Sequence, residues 1–368
     1  MSSYSQGSGG GGSAPPKKNS HKKGLGFVPS SIGSCITDPI TSLLRTAPTI
    51  AKGSYASSQT STLLSDSKAT IPLFDLEKLF ETTGRERQIA TQAFGSAFMQ
   101  VGILGIRAPN LSQMISGIYK EMDGYFRRPI ETKLLDWKKG SSQSGYYYRG
   151  SETGPHAPRP DFKESFFITP NFKDWPSGNR TFPKMMSEYY ASLARAYQYL
   201  SMFLMEFLQE PFDENLTQNG EHLLRLAYYP PFKPGDDPKG NWSAANRDKS
   251  VLSLSSVASI PGLQFYSSKG LWEPVIVPND HLIVSAGLFL QYKTAGLIKA
   301  RWKRVVNPGG KYTRLQRFST VFYGTWPKNF SLKPFPNSLL HATSGMTLLR
   351  KEEYLKKYPD IQVKEKLT

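Results

Sequence analysis

Short apolar segments separated by turn residues fill the stretch from Trp242 to Phe322, and this pattern constrains the fold more than any other feature. β-branched and aromatic residues alternate there with Gly, Pro, Asn or Ser-Lys-Gly turns, which is typical of an antiparallel barrel or double sheet. The segments read WSAANRDKSVLSL, PGLQFYSSKGLWEPV, HLIVSAGLFLQYK and RFSTVFYGTWP. The apolar run from His281 to Leu290 is predicted to be one buried strand.

Helical periodicity precedes this region. Asn110 can cap a helix whose apolar residues recur at helical spacing. Met185 to Glu210 is predicted to be the longest helix, with Pro211 ending it. Periodicity predicts two further helices and two strands. These are a helix with Ile89, Ala93 and Ala97 on one face, a buried strand at Val101 to Ile106, a strand at His222 to Pro231, and a C-terminal helix at Ser344 to Tyr358.

Charge and composition narrow the choice of partners. The chain has 368 residues, 12% aromatic and 20% charged, which indicates a folded body with a sizeable core. A net charge of +17 would suit nucleic acid or an acidic membrane. The Lys and Arg residues are scattered, however, and no nucleic-acid-binding motif is present. We therefore expect a basic but ordinary surface, and keep a nucleic-acid or membrane binder as the last alternative.

The N-terminal segment, residues 1–69, is rich in Ser, Gly and Lys, and we expect a disordered tail. The alternative is a targeting segment, although the tail has few arginines. Cys35 is the single cysteine, which excludes an internal disulfide. No apolar run approaches the ~20 residues of a membrane span, so we expect a cytoplasmic protein. The remaining expected regions are a helical part (70–215), a β core (216–330) and a C-terminal helix with a tail (331–368).

Several motifs resemble the isopenicillin N synthase-like 2-oxoglutarate/Fe(II) oxygenases, and they occur in that family's order from Ile71 to Pro327. The resemblance implies an α+β, mainly β fold: a double-stranded β-helix (jelly roll) flanked by N-terminal helices and a C-terminal helix. The motifs are Ile71-Pro72-x-x-Asp75, Phe126 to Lys133, Asp161 to Phe166, Leu224-Arg225-x-x-x-Tyr229-Pro230-Pro231, Asn246-Arg247-Asp248, Lys303-Arg304-Val305 and Arg317-Phe318-Ser319.

The metal positions that the resemblance implies are degenerate. The family binds iron through a His-x-Asp pair and a distant His before Arg-Val; here those positions hold Asn246, Asp248 and Lys303. An ammonium has no lone pair for a metal, so we predict that no iron is bound. We expect Lys303 to pair with Asp248 inside the barrel. The alternative is a strand slipped by one residue, with Lys303 in solvent; His156 is the one conceivable substitute ligand.

The cosubstrate pocket is better preserved. In the family, an Arg-x-Ser pair and a Tyr before Pro hold a carboxylate of 2-oxoglutarate; Arg317, Ser319 and Tyr229 match these positions. Arg317 and Ser319 lie two apart on a strand and therefore face the same way. We predict a site for 2-oxoglutarate or another small carboxylate. Two alternatives are that Arg314 takes the role of Arg317, or that Arg317 pairs with an internal acid.

The sequence thus favours a monomeric pseudoenzyme of this fold that binds a small carboxylate or an unknown partner without metal. One alternative is a metal-independent enzyme that uses Lys303 as a base or Schiff-base amine. Another is an active 2-oxoglutarate-dependent oxygenase, an oxidoreductase, with unusual metal ligation. No other catalytic motif is present.

Overall fold

The computed structural model describes residues 69–138, 143–154, 157–233, 235–236 and 241–338. All of these residues belong to a compact unit that spans Ile50–Thr368. Three sequence predictions lie outside the described residues: the disordered tail up to residue 68, the C-terminal helix at Ser344 to Tyr358, and His156 as a substitute ligand. The predicted boundaries at residues 215 and 330 stay predictions.

Helices come first along the chain and strands dominate its second half. The helices are α1 (Leu76–Glu81), α2 (Gly84–Val101), α3 (Pro109–Phe126), α4 (Ile130–Leu134), α5 (Thr181–Leu208), α6 (Glu214–Gln218) and α7 (Leu288–Lys293), with a 3-10 helix at Gly310–Arg314. The strands are β1 (Leu73–Asp75), β2 (Ile103–Arg107), β3 (Gly145–Tyr147), β4 (Glu164–Ile168), β5 (Leu223–Tyr229), β6 (Asn241–Asn246), β7 (Leu252–Ser256), β8 (Leu263–Tyr266), β9 (Trp272–Pro274), β10 (His281–Ala286), β11 (Lys303–Val306) and β12 (Arg317–Gly324).

Two sheets form the β core. The larger has eight strands in the order β1-β2-β10-β7-β12-β5-β4-β3, and the smaller has four in the order β6-β11-β8-β9. Every pair is antiparallel except β1 with β2, which is parallel. Large antiparallel sheets with flanking helices confirm the predicted α+β fold class with a jelly-roll core.

Helix α5 supports the large sheet with a continuous apolar face. Its buried residues include Leu193, Tyr197, Leu200 and Phe203, which recur at helical spacing and belong to the main hydrophobic core. Tyr197 also donates its hydroxyl to the carbonyl of Thr325, just beyond β12. The helix therefore holds one face of the sheet, and the opposite face of β5 and β12 is left for the cavity described below.

Four local predictions need correction. The run from His281 to Leu290 is not one strand, because the chain leaves β10 at Ala286 and enters α7 after Gly287. Asn110 does not cap α3: Ala108 is the N-cap and Pro109 occupies the first helical position, where its missing N–H costs nothing.

The face of α2 that carries Ile89 points outward, since Ile89 is 61% exposed while Phe94 and Phe98 are buried. Val101 is the last residue of that helix rather than the first of a strand. Amphipathic spacing alone did not separate these faces because the helix carries several small apolar residues.

Among the described residues, we find no helix both long enough and apolar enough to cross a membrane.

Candidate ligand-binding site

A small cavity of about 50 Å³ lies between the two sheets. Strands of both sheets contribute side chains to its wall. Alternate residues of a strand line it, because residues two apart on a strand share one face. All six residues that the sequence analysis selected line it. The lining comprises Arg225, Tyr229, Ser243, Asn246, Asp248, Ser255, Ser256, Leu263, Lys303, Arg304, Val305, Arg317, Ser319, Val321 and Tyr323.

The ammonium of Lys303 is inside this cavity. Lys303 opens β11 and donates to the carboxylate of Asp248, which lies just beyond β6. A second hydrogen bond, 2.6 Å long, runs from the ammonium to the hydroxyl of Ser285 on β10. Both charged residues are 8% exposed. The predicted internal pair is therefore present, and the slipped strand that would place Lys303 in solvent is wrong.

The basic residues before Lys303 do not continue its strand. Arg301 precedes β11 and donates through its guanidinium to the carbonyls of Val101 and Gln100, at 2.8 Å each. The alternation of Lys299, Arg301 and Lys303 in the sequence therefore does not put three cations on one inward face. The ammonium of Lys303 enters the interior alone and is met there by a carboxylate.

The Asp248 carboxyl titrates below its ordinary range. Burial by itself would raise its pKa, but the charge of Lys303, hydrogen bonds from Lys303 and Ser253, and the charge of Arg225 outweigh that effect. The pKa of Asp248 is consequently lowered, and the carboxylate is ionised at neutral pH. The pair thus consists of two formal charges in a largely dehydrated place.

Asn246 lies opposite Lys303 in the β6–β11 register. Its amide nitrogen donates to the carbonyl of Ala244 in its own strand, at 3.0 Å. This end of the cavity therefore offers an amide, a carboxylate and an ammonium. A 2-histidine-1-carboxylate iron site needs imidazole lone pairs in two of these positions, and an ammonium has none. As placed, the three side chains do not fit Fe(II).

No group of three or more His, Cys, Asp or Glu side chains within the described ranges is arranged to hold a metal ion. The two described histidines of the core have other partners. His222 contacts the carbonyl of Thr217, and His281 contacts the carboxylate of Asp280. Neither of them lines the cavity.

The opposite end of the cavity carries Arg317, Ser319 and Tyr229. Arg317 and Tyr229 are direct cross-strand neighbours in the β5–β12 register. The guanidinium of Arg317 stacks 4.8 Å from the centre of the Tyr229 ring and donates to Ser319 Oγ at 3.2 Å and to the Ile260 carbonyl at 2.9 Å. The structure therefore brings together the three side chains that the sequence assigned to carboxylate binding.

Arg317 has no carboxylate partner within ion-pair distance among the described residues. The alternative in which an internal acid neutralises it is therefore wrong. Burial lowers the pKa of Arg317, but an arginine so placed keeps its charge at neutral pH. Arg314 is exposed on the 3-10 helix and does not line the cavity, so it is no rival.

Arg225 is the functional candidate that sequence reasoning did not select. It lies on the same face of β5 as Ala227 and Tyr229, and its guanidinium lies 5.4 Å from the centre of the Tyr323 ring. The signal that could have identified it is the alternation along β5, because residues two apart on a strand share a face and Arg225 therefore lies on the same face as Tyr229. An arginine in a predicted core strand is an obvious exception to burial preferences, and so a site candidate.

A second buried ion pair fixes the wall of the cavity at β6. Lys163 donates to Asp161, and the other oxygen of that carboxylate accepts from the backbone N–H of Ala244 at 2.8 Å. Asp161 also accepts from the hydroxyl of Ser243 at 3.2 Å. This network ties the loop before β4 to β6, and it positions the strand that leads into Asn246 and Asp248.

The chain is similar to known oxygenases in sequence and in fold, although no family model matches it. It is 25% identical over 263 residues to "2-oxoglutarate-dependent dioxygenase caaD" of Aspergillus niger, covering 65% of this chain and 80% of that one. It is 22% identical over 279 residues to "2-oxoglutarate-dependent dioxygenase 11" of Oryza sativa, covering 72% and 74%. The crystal structure of a 2OG-Fe(II) oxygenase family protein of Caulobacter crescentus superposes with a TM-score of 0.65 at 23% identity, covering 79% of this chain and 98% of that one.

The fold is therefore that of the 2-oxoglutarate oxygenases. Curated relatives and solved structures agree in pointing to the 2OG-Fe(II) oxygenase family, with the isopenicillin N synthase-like fold.

Proposed function

We propose that this chain is a metal-independent member of its family that binds 2-oxoglutarate or a similar small carboxylate. In this proposal Asn246, Asp248 and Lys303 occupy the positions of the family's iron ligands, and the Lys303 ammonium takes the place of the metal charge. The protein would then act as a pseudoenzyme, with ligand binding in place of oxidation.

The observation that carries the proposal is the contact of Lys303 with Asp248 inside the cavity. Binding Fe(II) at Asp248 would require the ammonium to leave, because two cations cannot share one buried carboxylate without strong repulsion. Leaving would cost a buried ion pair and its hydrogen bond to Ser285.

Carboxylate binding rests on the other end of the cavity. The guanidinium of Arg317 is buried, is charged and has Ser319 and Tyr229 beside it. A guanidinium can grip a carboxylate through two parallel hydrogen bonds, and such charge-assisted bonds are stronger than neutral ones. A small carboxylate would neutralise a charge that no described acid neutralises.

The contact with Asp248 also bears on whether Lys303 acts as a base or forms a Schiff base. Both roles need the side-chain nitrogen to be free to react, and here it is engaged in hydrogen bonds to Asp248 and Ser285. We therefore rank this alternative below binding.

Isothermal titration of the chain with 2-oxoglutarate in EDTA tests the proposal. We expect saturable binding of one equivalent, with no gain in affinity when Fe(II) replaces EDTA under anaerobic conditions. Absence of binding in EDTA would contradict the proposal.

A second candidate is an active 2-oxoglutarate-dependent oxygenase with unusual metal ligation. It is favoured by the two named curated relatives, which are dioxygenases. Binding of 2-oxoglutarate that appears only after Fe(II) is added, together with succinate formation, would support this candidate.

A further inference from the structure

Arg225 is a second buried guanidinium in the same cavity, and the carboxylate-binding role of Arg317 does not use it. It lies on β5 four residues from Tyr229, which places its row of the sheet roughly 13 Å from the Arg317–Tyr229 row. Its cross-strand neighbours are Val321 on β12 and Phe167 on β4, and both are uncharged. Two cations therefore face one cavity from two different rows of the same sheet.

The hydrogen-bonding capacity of Arg225 is not filled. Its Nε is buried and has no hydrogen-bond partner among the described residues. The nearest carboxylate oxygen, on Glu152, is 4.0 Å from a terminal nitrogen, beyond hydrogen-bond length. Glu152 has nearer partners, since it accepts from Ser165 at 2.5 Å and lies 3.6 Å from the Lys163 ammonium. A buried unpaired donor carries a desolvation cost that a ligand oxygen would remove.

Lys303 adds a donor at the same end. An ammonium has three N–H groups, and the described contacts of Lys303 use two, to Asp248 and to Ser285. Arg225, Asp248 and Lys303 line the same cavity. The end of the cavity away from Arg317 thus offers N–H donors from two cations.

The two guanidinium groups also act on each other. Burial lowers the pKa of Arg317, neighbouring Tyr229 and Tyr119 oppose this, and the charge of Arg225 adds to the lowering. Among the described residues that line the cavity, Asp248 is the one carboxylate, against Arg225, Lys303, Arg304 and Arg317. Arg304 is partly satisfied elsewhere, since it donates to Gln264 and stacks over Trp272. An anion between the guanidinium groups would relieve their repulsion.

We propose that the cavity is a metal-free site for a dianion, with one acidic group held by Arg317, Ser319 and Tyr229 and the second by Arg225 and Lys303. The ligand class is a short dicarboxylate, or a carboxylate that carries another acidic group at a similar spacing. The inference rests on the proposed carboxylate-binding function. It adds that the second acidic group of the ligand is bound by Arg225 and Lys303 in place of a metal ion.

A matched pair of ligands tests the proposal without any mutation. Glutarate and pentanoate have the same number of carbons and differ in one carboxylate. In titrations with EDTA present, we expect glutarate to bind at least about tenfold more tightly, the size of effect of one charge-assisted contact. Equal affinities would overturn the dianion site and leave carboxylate binding standing. Absence of binding by both would overturn the proposed function and this inference together.

A titration with Fe(II) shows whether the protein's own cations or a metal ion bind the second carboxylate. We expect the ratio of glutarate to pentanoate affinity to be as large in EDTA as it is with Fe(II). A preference that appears only when Fe(II) is added anaerobically would overturn the inference, because a metal would then hold the second carboxylate.

A variant locates the contact. Arg225→Gln should lower the affinity for glutarate about tenfold more than the affinity for pentanoate. Arg314→Gln, on the exposed 3-10 helix, is the matched control and should keep the preference. Arg225→Lys retains a cation if the Gln variant does not fold, and should keep part of the preference. A preference for glutarate that is the same in both folded Arg225 variants as in the wild type would contradict the assignment of Arg225.

Discussion

The ammonium of Lys303 donates to the carboxylate of Asp248 across 55 positions of sequence, between the two sheets of the core. The pair joins β11 to the turn after β6, and Ser285 on β10 connects it to the large sheet. The buried side chain of Lys303 therefore links both sheets, at the end of the cavity where the sequence analysis expected the degenerate metal positions. Its stability and its chemistry are both open to direct measurement.

Replacing Lys303 should expose the cost of an unpaired buried carboxylate. We expect Lys303→Met to lower the free energy of unfolding by about 3–5 kcal/mol, because Asp248 would be left charged and desolvated. Urea denaturation at neutral pH measures the change. Lys311→Met, an exposed lysine, is the control and should have little effect. The double variant Lys303→Met with Asp248→Leu should recover much of the loss; no recovery would contradict a direct pairing.

Arg317 should matter for ligand affinity and Arg314 should not. We expect Arg317→Gln to weaken 2-oxoglutarate binding by about tenfold or more, because it removes the charge-assisted grip on a carboxylate. Arg314→Gln, three residues earlier and exposed, changes the net charge by the same amount and serves as the control. Equal losses in the two variants, measured by titration calorimetry, would indicate a long-range charge effect in place of a contact.

Histidines placed at the two proposed metal positions should create iron affinity. We expect Asn246→His with Lys303→His to bind Fe(II), because the two imidazoles would then accompany the carboxylate of Asp248. Anaerobic titration monitored by metal analysis of the desalted protein measures binding. Adding Asp248→Asn to the double variant should abolish it. If the folded double variant binds no Fe(II), the assignment of these three positions is contradicted.

His222 should make the fold sensitive to acid. Burial lowers the pKa of His222 to about 4, from 6.5 for the free side chain. The neutral ring is satisfied on both sides, since Nε2 donates to the Thr217 carbonyl and Nδ1 accepts from the Thr325 N–H. Protonating Nδ1 would place its N–H opposite the N–H of Thr325, so that two donors would face each other without an acceptor.

The unfolded chain therefore binds the proton more tightly than the folded chain between these two pKa values, and stability falls as the pH is lowered through that window. We expect a loss of about 2 kcal/mol from His222 between pH 7 and pH 5. His222→Gln keeps one donor and one acceptor and should remove this part of the pH dependence. If the unfolding free energies of the wild type and of His222→Gln fall equally between pH 7 and pH 5, the assignment to His222 is contradicted.

Much of the core followed from periodicity and turn residues. Periodicity predicted the strand that is observed as β5 and the long helix that is observed as α5. Local patterns did not predict where elements end. His281 to Leu290 is uniformly apolar, so a buried strand and the start of a short helix could not be separated by period.

The site divides in the same way. The contact of Lys303 with Asp248 was predicted because the two positions aligned with a known arrangement and because a buried carboxylate needs a partner. The unfilled Nε of Arg225 was not predicted, because strand alternation places a side chain on a face but does not count its hydrogen bonds. That property depends on Glu152, whose loop is far from β5 in the sequence and has its own nearer partners.

The most direct test of the account is an anaerobic titration of the wild-type chain with Fe(II) in the presence of 2-oxoglutarate, followed by metal analysis and a search for succinate after oxygen is admitted. We predict no stoichiometric iron and no succinate, with the Lys303 ammonium still bound to Asp248. One equivalent of tightly bound iron with succinate formation would contradict it.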